Sequence, residues 1–268
     1  LMLATAKIYL HNPKAVIAAL PADHLIKNSA LFLKKLKAAA EAATRGDYLI
    51  TFGIPPTYPA TGYGYIQFSS RNPLKILSEK FFSVQKFKEK PELKQAKIFL
   101  KKGNHYWNSG MFLWRADVFA AKLKKFAPSL FPYWKRILNA LKNNNEPAIA
   151  AIFKNIPSIS IDYGLMEKAE GILMAEGNFG WSDVGAWSSL IEIWPKDKDG
   201  NAIKGESLFL ESENCLVYNP KKLTALIGVK DLIVVETEDA LLISHKSQDQ
   251  KVKNILEKIK QKGKIECL

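Results

Sequence analysis

The chain has 268 residues, of which 47% are hydrophobic, and a formal net charge of +13 from 39 basic and 26 acidic side chains. A chain of this length can bury one large core or two unequal cores, so the composition predicts a globular protein. The positive charge suits nucleic acid, an anionic membrane or a phosphate-bearing substrate. The lysines are spread over helix-like stretches such as "LFLKKLKAAAEAA", at the spacing of solvated helix faces, which argues against nucleic acid and membrane partners.

Cysteine content and the length of the apolar runs indicate the cellular compartment. The cysteines are Cys215 and Cys267, and they form neither a metal-type spacing nor a disulfide framework, so we expect a reducing cytoplasm. No apolar run approaches the roughly 20 residues that a membrane-spanning helix needs. The opening "LMLATAKIYL" lacks the basic start of a signal peptide and is typical of the end of a helix.

Apolar runs and helical patterns alternate through the first part of the chain. The run "AVIAAL", a helix through about Ala43 and the run "YLITFGI" predict a βαβ unit with parallel strands. The pattern predicts further strands in "GYGYIQF", "FFSVQKF", "SGMFLWR" and "GILMAEG", and helices around 92–102, 116–142, 146–154 and 162–170. This alternation predicts an open α/β sheet within a domain of residues 1–200.

The composition changes near residue 200, where charged turn residues give way to short strand-like runs. The runs "CLVYN", "TALIGV", "LIVVET" and "ALLISH" predict a small all-β region within residues 201–268. The stretch "SQDQKVKNILEKIKQKG" predicts a terminal amphipathic helix.

Two aspartates follow predicted strands, at the position where open α/β sheets bind ligands. Asp23 lies in "LPADHLI", and Asp183 lies in "GNFGWSDVGAWSSL", between a predicted strand and a helix. Because nucleotide-bound Mg²⁺ takes one or two protein carboxylates, both aspartates are candidate metal ligands. The alternative for Asp23 is a helix N-cap.

Six segments carry a resemblance to a known family. In order, they are "LPADHLI", "TFGIPPTYPATGYGYI", "FKEKP", "WNSGMFLW", "SIDYGLMEK" and "WSDVGAW". Together they resemble the bacterial mannose-1-phosphate guanylyltransferases over essentially the whole chain. The resemblance implies a Rossmann-like nucleotidyltransferase with an open mixed sheet and a β-helix-like C-terminal region. It also implies a Mg²⁺-dependent reaction of mannose 1-phosphate with GTP, which gives GDP-mannose and pyrophosphate.

The resemblance also implies roles for individual residues. Asp23 and Asp183 match the aspartates that bind the metal. Lys90 of "EKP" matches a ligand of the sugar phosphate, for which a mobile ammonium is suited, and Glu89 beside it is expected to accept hydrogen bonds from sugar hydroxyls.

Several other residues match segments that contact the sugar. Asn108 and Gly110 of "NSG" match a contact in which the amide can donate and accept and the glycine lets backbone approach the ring. The alternative is an ordinary turn before the strand. Gly62 and Gly64 resemble a loop beside the sugar and base, with hairpin or bulge glycines as the alternative.

The segment "SIDYGLMEK" contributes one more candidate ligand. Asp162 and Glu167 are five residues apart, so we expect them on different faces of a helix. Glu167 is expected to contact a sugar hydroxyl. Asp162 is left with two interpretations, a site residue or a helix cap.

One departure from the family is an absent segment. The family opens with a Gly-rich loop of the type GGxGTRLWPLS, whose backbone N–H groups bind the nucleotide phosphates, and this sequence has no such loop. We therefore expect weak GTP binding. We also expect the chain to be a fragment, one part of a split enzyme, or the product of a decayed gene. The expected partner is a second copy of this chain, in a homodimer, or a complementing N-terminal chain. The end of the sequence resembles the linker to an isomerase cupin in bifunctional relatives.

The alternative functions are another hexose-1-phosphate nucleotidyltransferase and a non-catalytic sugar-phosphate-binding or assembly subunit. The absent loop is the feature that separates an active enzyme from a binding subunit. Selectivity between mannose and glucose phosphates is not fixed by these motifs.

Overall fold

The structure is a computed structural model that describes residues 1–263. It divides into two compact units, Leu1–Trp181 and Ser182–Leu268. This division follows contacts between residues, whereas the boundary after residue 200 follows composition and stays a prediction. In the part of the chain that the structure describes, no helix combines the length and apolar character that crossing a bilayer requires. Cys267 lies outside the described residues.

The first unit combines helices with a sheet. Its helices are α1 (Met2–His11), α2 (Ser29–Thr44), α3 (Leu93–Lys102), α4 (Ala116–Phe126), α5 (Phe131–Lys142) and α6 (Glu146–Asn155). Its strands are β1 (Val16–Ala19), β2 (Leu25–Ile26), β3 (Leu49–Ile54), β4 (Tyr65–Ile76), β5 (Glu79–Lys88), β6 (His105–Arg115) and β7 (Ile172–Glu176), and β8 (Trp181–Ser182) crosses the unit boundary. A single π-helical turn spans Asp162–Met166.

The main sheet has the order β1-β6-β3-β7-β5-β4, and it is mixed, as predicted. β3 and β7 are parallel, while β1 and β3 are each antiparallel to β6. β1 and β3 therefore run in the same direction, as a βαβ unit requires, but β6 lies between them. Sequence patterns indicate where a strand lies along the chain. They do not indicate which other strand pairs with it in the sheet.

Two predicted helices are shorter in the structure. The helix expected over 116–142 is divided into α4 and α5, because Pro128 lacks a backbone N–H and disfavours helical geometry in the residue before it. The helix expected over 162–170 is limited to the π turn.

The sheet separates two apolar clusters, and β3 is buried along its whole length. Trp114 of β6 is fully buried in one cluster, and its indole N–H donates to Thr5 Oγ1 at 3.3 Å. A continuous apolar strand with both faces covered is typical of the centre of an α/β sheet. β3 therefore lies in the interior of the sheet, next to β6, which carries Asn108.

Lys35 of α2 is an exception to the expected solvated lysine faces. Its ammonium lies 2.6 Å from Glu79 Oε2 at the start of β5, and the two side chains are 7% and 12% exposed. Because a buried ammonium requires a partner, this ion pair is part of the first unit's core.

The second unit is mostly β-structure, as expected. It contains α7 (Trp187–Ile191), β9 (Ala202–Leu210), β10 (Leu216–Ile227), β11 (Leu232–Glu236), β12 (Leu241–His245), a 3₁₀ turn (Lys246–Lys251) and α8 (Val252–Gln261). β10 is parallel to both β9 and β11, which is the pairing of a coiled, β-helix-like sheet. β9 was not predicted from the sequence. β10 was predicted as two strands, because an irregularity between Asn219 and Thr224 interrupts its apolar pattern.

Candidate functional site

Four segments of the first unit bring polar groups together beside the sheet. Gly64 precedes β4, Glu89 follows β5, Asn108 belongs to β6, and Asp162 opens the π turn. The Asn108 backbone N–H donates to the Gly64 carbonyl at 2.8 Å. A Cβ atom on Gly64 would lie 2.3 Å from Glu89 Oε2, so the glycine is what allows the Glu89 carboxylate to approach so closely.

The "NSG" segment forms a bulge inside β6 rather than a turn before it. Thr51 of β3 pairs with Phe112, and Gly53 pairs with Asn108, so β6 has more residues than β3 over the same length. Gly110 lies in this bulge with φ of 71°, a conformation that favours glycine. Bulges of this kind redirect side chains and are common beside active sites.

Glu89 is surrounded by charged groups. Burial raises the pKa of Glu89, the carboxylates of Asp162 and Glu167 raise it further, and Lys90 opposes them. The Lys90 ammonium lies 3.8 Å from Glu89 Oε1, and its side chain is 60% exposed. The Lys90 backbone has φ of 40°, which is strained for a residue with a side chain. An accessible ammonium beside a half-buried carboxylate can bind a phosphate and an adjacent hydroxyl together.

The π turn changes the expected relation between Asp162 and Glu167. The Glu167 N–H donates to the Asp162 carbonyl at 2.9 Å, which is the five-residue bond of a π turn. Five residues therefore make about one turn here, and both carboxylates influence Glu89. The expectation that they lie on different faces assumed the tighter α-helical turn, and it stays a prediction.

Asp162 is not a helix cap, since its turn has no side-chain capping bond. Its Oδ1 accepts a hydrogen bond from Asn108 Nδ2 at 2.8 Å. Burial raises the pKa of Asp162, while hydrogen bonds, including those from Asn108 and Ser160, lower it. The role of this residue could not be decided from the sequence, because no local pattern indicates a contact with Asn108, 54 residues away.

Asp23 lies exposed in the bend after β1, next to a cluster of aromatic rings. Its neighbour His24 accepts a hydrogen bond at Nδ1 from the indole N–H of Trp181 at 3.0 Å. A Cβ atom on Gly110 would lie 3.8 Å from Pro21 Cγ and 4.0 Å from His24 Cε1, so the bulge of β6 faces the "LPADH" loop.

Tyr63 connects the glycine loop to this aromatic cluster. Its ring centroid lies 5.0 Å from that of Trp107 and 5.6 Å from that of Trp181. Tyr63 stands between Gly62 and Gly64, both in the loop before β4. The place of Gly62 in the site stays a prediction.

Asp183 belongs to the second unit. Its Oδ1 accepts the backbone N–H of Gly185 at 3.1 Å, which orders the turn before α7. Within residues 1–263, no group of three or more His, Cys, Asp or Glu side chains is arranged to hold a metal ion. A nucleotide-bound Mg²⁺ needs fewer protein ligands, and exposed or half-buried carboxylates such as Asp23 and Asp183 supply the oxygen atoms that it prefers. Their role as metal ligands stays a prediction.

The raised pKa of Glu89 predicts a pH-dependent effect of replacing it. Above the ordinary value of 4.5 the unfolded chain loses this proton more readily than the folded protein, so ionised Glu89 lowers stability as pH rises. We expect Glu89→Gln to raise the melting temperature relative to the unmodified chain at pH 7, but not at pH 4. Glu238→Gln, at a side chain that is 84% exposed, is the control and should change little. An equal rise in melting temperature at both pH values would contradict a raised pKa of Glu89.

Comparisons with known proteins identify the chain's family. A model described as nucleotidyl transferase matches residues 2–200, and a model described as mannoseP isomerase/GMP-like β-helix domain matches residues 205–259. A putative mannose-1-phosphate guanylyltransferase of Vibrio cholerae is 38% identical and shares 94% of this chain and 53% of its own length. The alginate biosynthesis protein AlgA of Pseudomonas aeruginosa is also 38% identical, over 98% of this chain and 54% of its own.

A solved structure from Thermus thermophilus, described as a mannose-1-phosphate geranyltransferase, has a TM-score of 0.81 and 28% identity. It covers 96% of this chain, and the chain covers 73% of it. The chain spans about half the length of the curated relatives that it matches. Because the nucleotidyl transferase model extends over most of the sequence, the chain belongs to the nucleotidyl transferase family.

Proposed function

We propose that this chain binds a hexose 1-phosphate, with mannose 1-phosphate as the preferred ligand, for transfer of a guanylyl group. The observation that carries the proposal is the cluster in which Glu89 contacts Gly64 and lies beside Lys90, Asp162 and Glu167. Carboxylates accept hydrogen bonds from sugar hydroxyls, and an accessible ammonium pairs with a phosphate. The names of the relatives support mannose as the sugar and guanylyl as the transferred group.

In the proposed reaction, a phosphate oxygen of mannose 1-phosphate attacks the α-phosphorus of GTP. The new P–O bond forms as the bond between the α-phosphorus and the bridging oxygen breaks, and pyrophosphate leaves. The nucleophile is already anionic, so the protein must align it rather than remove a proton from it. His24 therefore needs no role as a general base.

Magnesium belongs to the proposal, with Asp23 and Asp183 as its protein ligands. When bound, Mg²⁺ would neutralise charge on the phosphates. The chain's own residues hold the other substrate: Lys90 pairs with the sugar phosphate, and Glu89 and Glu167 accept hydrogen bonds from sugar hydroxyls. The cytoplasmic location and the homodimer or complementing N-terminal chain also stay predictions from sequence.

Calorimetry with mannose 1-phosphate tests the proposed site directly, with glucose 1-phosphate and mannose as comparison ligands. We expect mannose 1-phosphate to bind most tightly and Lys90→Met to weaken it about tenfold or more, which is the loss of one charge-assisted contact. Lys94→Met replaces an exposed lysine of α3 and is the matched control. Equal binding of mannose and its phosphate would contradict the proposal.

Release of pyrophosphate from GTP distinguishes an enzyme from a binding subunit. We propose that release requires both mannose 1-phosphate and Mg²⁺. Binding of the sugar phosphate without any release would favour the binding subunit. Release that does not depend on the sugar phosphate would contradict guanylyl transfer.

A further inference from the structure

The carboxamide of Asn108 has most of its hydrogen-bonding capacity occupied within the protein. Its Oδ1 accepts the backbone N–H of Gly110 at 3.3 Å and lies 3.2 Å from the Thr51 hydroxyl. Its Nδ2 donates one hydrogen to Asp162 Oδ1 at 2.8 Å. A carboxamide has two N–H donors, and no second partner of Nδ2 occurs among residues 1–263. One donor is therefore left for a ligand.

Asp162 determines which end of this carboxamide is left available. A carboxylate accepts hydrogen bonds and cannot donate them, so it holds the nitrogen of Asn108 towards the π turn and the oxygen towards Gly110 and Thr51. The bulge of β6 supplies the second constraint, because the Gly110 N–H is directed at Asn108 Oδ1. The orientation of the side chain is thus fixed at both ends.

We propose that Asp162 is a positioning residue that makes Asn108 a hydrogen-bond donor, and not an acceptor, towards a hydroxyl of the bound sugar. The inference rests on the proposed sugar-phosphate site and adds a rule of selectivity to it. A sugar hydroxyl can donate to a carboxylate such as Glu89 while it accepts from Asn108. The site then requires at this position a ligand group that both donates and accepts, which is a hydroxyl.

Three variants test the proposal by calorimetry with mannose 1-phosphate. Asp162→Ala should weaken binding about tenfold, because the carboxamide loses its fixed orientation. The double variant Asn108→Asp with Asp162→Asn keeps a donor–acceptor pair between the two positions but leaves no free donor at residue 108. It should melt close to the unmodified chain and still bind weakly. Lys168→Ala, at an exposed side chain after the π turn, should bind normally.

Full affinity in either Asp162→Ala or the double variant would overturn the proposal. A purely structural role for Asp162 predicts a different result, in which binding recovers whenever the melting temperature does. The melting temperature of the double variant therefore has to be measured in the same buffer as its affinity.

Nuclear magnetic resonance gives a readout that needs no ligand. The side-chain NH₂ resonances of Asn108 can be assigned by their loss in Asn108→Asp. In the unmodified chain the two protons should have clearly different shifts, since one is bonded to a carboxylate, and Asp162→Ala should reduce that difference. An unchanged pair of shifts would overturn the positioning role. If the pair responds but mannose 1-phosphate does not bind, the sugar-phosphate function fails while the contact between the two side chains stands.

Discussion

Gly64→Ala is expected to weaken the binding of mannose 1-phosphate by about 10- to 100-fold, the effect of losing a hydrogen bond to a charged group, and to leave the fold intact. The new Cβ atom would lie 2.3 Å from Glu89 Oε2 and 3.5 Å from Asn108 Cβ. The first distance is too short, so the Glu89 carboxylate must move, whereas the second is an ordinary contact. The end of a glutamate side chain moves easily, and φ of Gly64 is outside the left-handed region, so stability should change little.

A double-mutant cycle identifies the cause of this loss. If Gly64→Ala acts by displacing Glu89, then combining it with Glu89→Gln should add little to the effect of Glu89→Gln alone. Gly164→Ala is a matched control, because its new Cβ atom would meet Ile159 and Leu130 at 3.5 Å. Fully additive effects, or a large drop in melting temperature for Gly64→Ala, would contradict this mechanism.

Glu79→Ala is expected to destabilise the first unit by about 3–5 kcal/mol, because it leaves the ammonium of Lys35 buried without a partner. The double replacement Lys35→Met with Glu79→Leu removes both charges and should cost far less. Urea unfolding, followed by tryptophan fluorescence, measures both.

A surface ion pair provides the comparison for this experiment. Lys125 and Glu170 are 3.2 Å apart, but their side chains are 66% and 76% exposed, so Glu170→Ala should cost no more than about 1 kcal/mol. If Glu79→Ala and Glu170→Ala had similar costs, burial would not be the reason for the larger expected effect.

The sequence predicted the elements of the first unit well because their apolar runs are long and their ends are marked by turn residues. It could not predict that β6 lies between β1 and β3, since strand order depends on contacts far apart in the chain. Nor could it predict the burial of Lys35, whose partner Glu79 is 44 residues away. A charged residue on a helix is usually solvated, and only the tertiary structure reveals the exception.

The candidate site shows the same division between local and distant information. The motifs marked Glu89, Lys90, Asn108 and Gly64, and the structure brings these residues together. Asp162 was left undecided, because its contact with Asn108 joins residues 54 positions apart in the chain. The metal roles of Asp23 and Asp183 were predicted from position alone, and they stay predictions.

The π turn at Asp162–Met166 has a consequence for how this segment tolerates changes in length. A π turn contains about one residue more than the corresponding α-helical turn, so deletion of a single residue such as Tyr163 could leave a regular helix. The main chain would gain better hydrogen bonds, and Asp162 and Glu167, then four residues apart, would still be about one helical turn apart. This segment should therefore tolerate the loss of one residue while both carboxylates stay on one side of it.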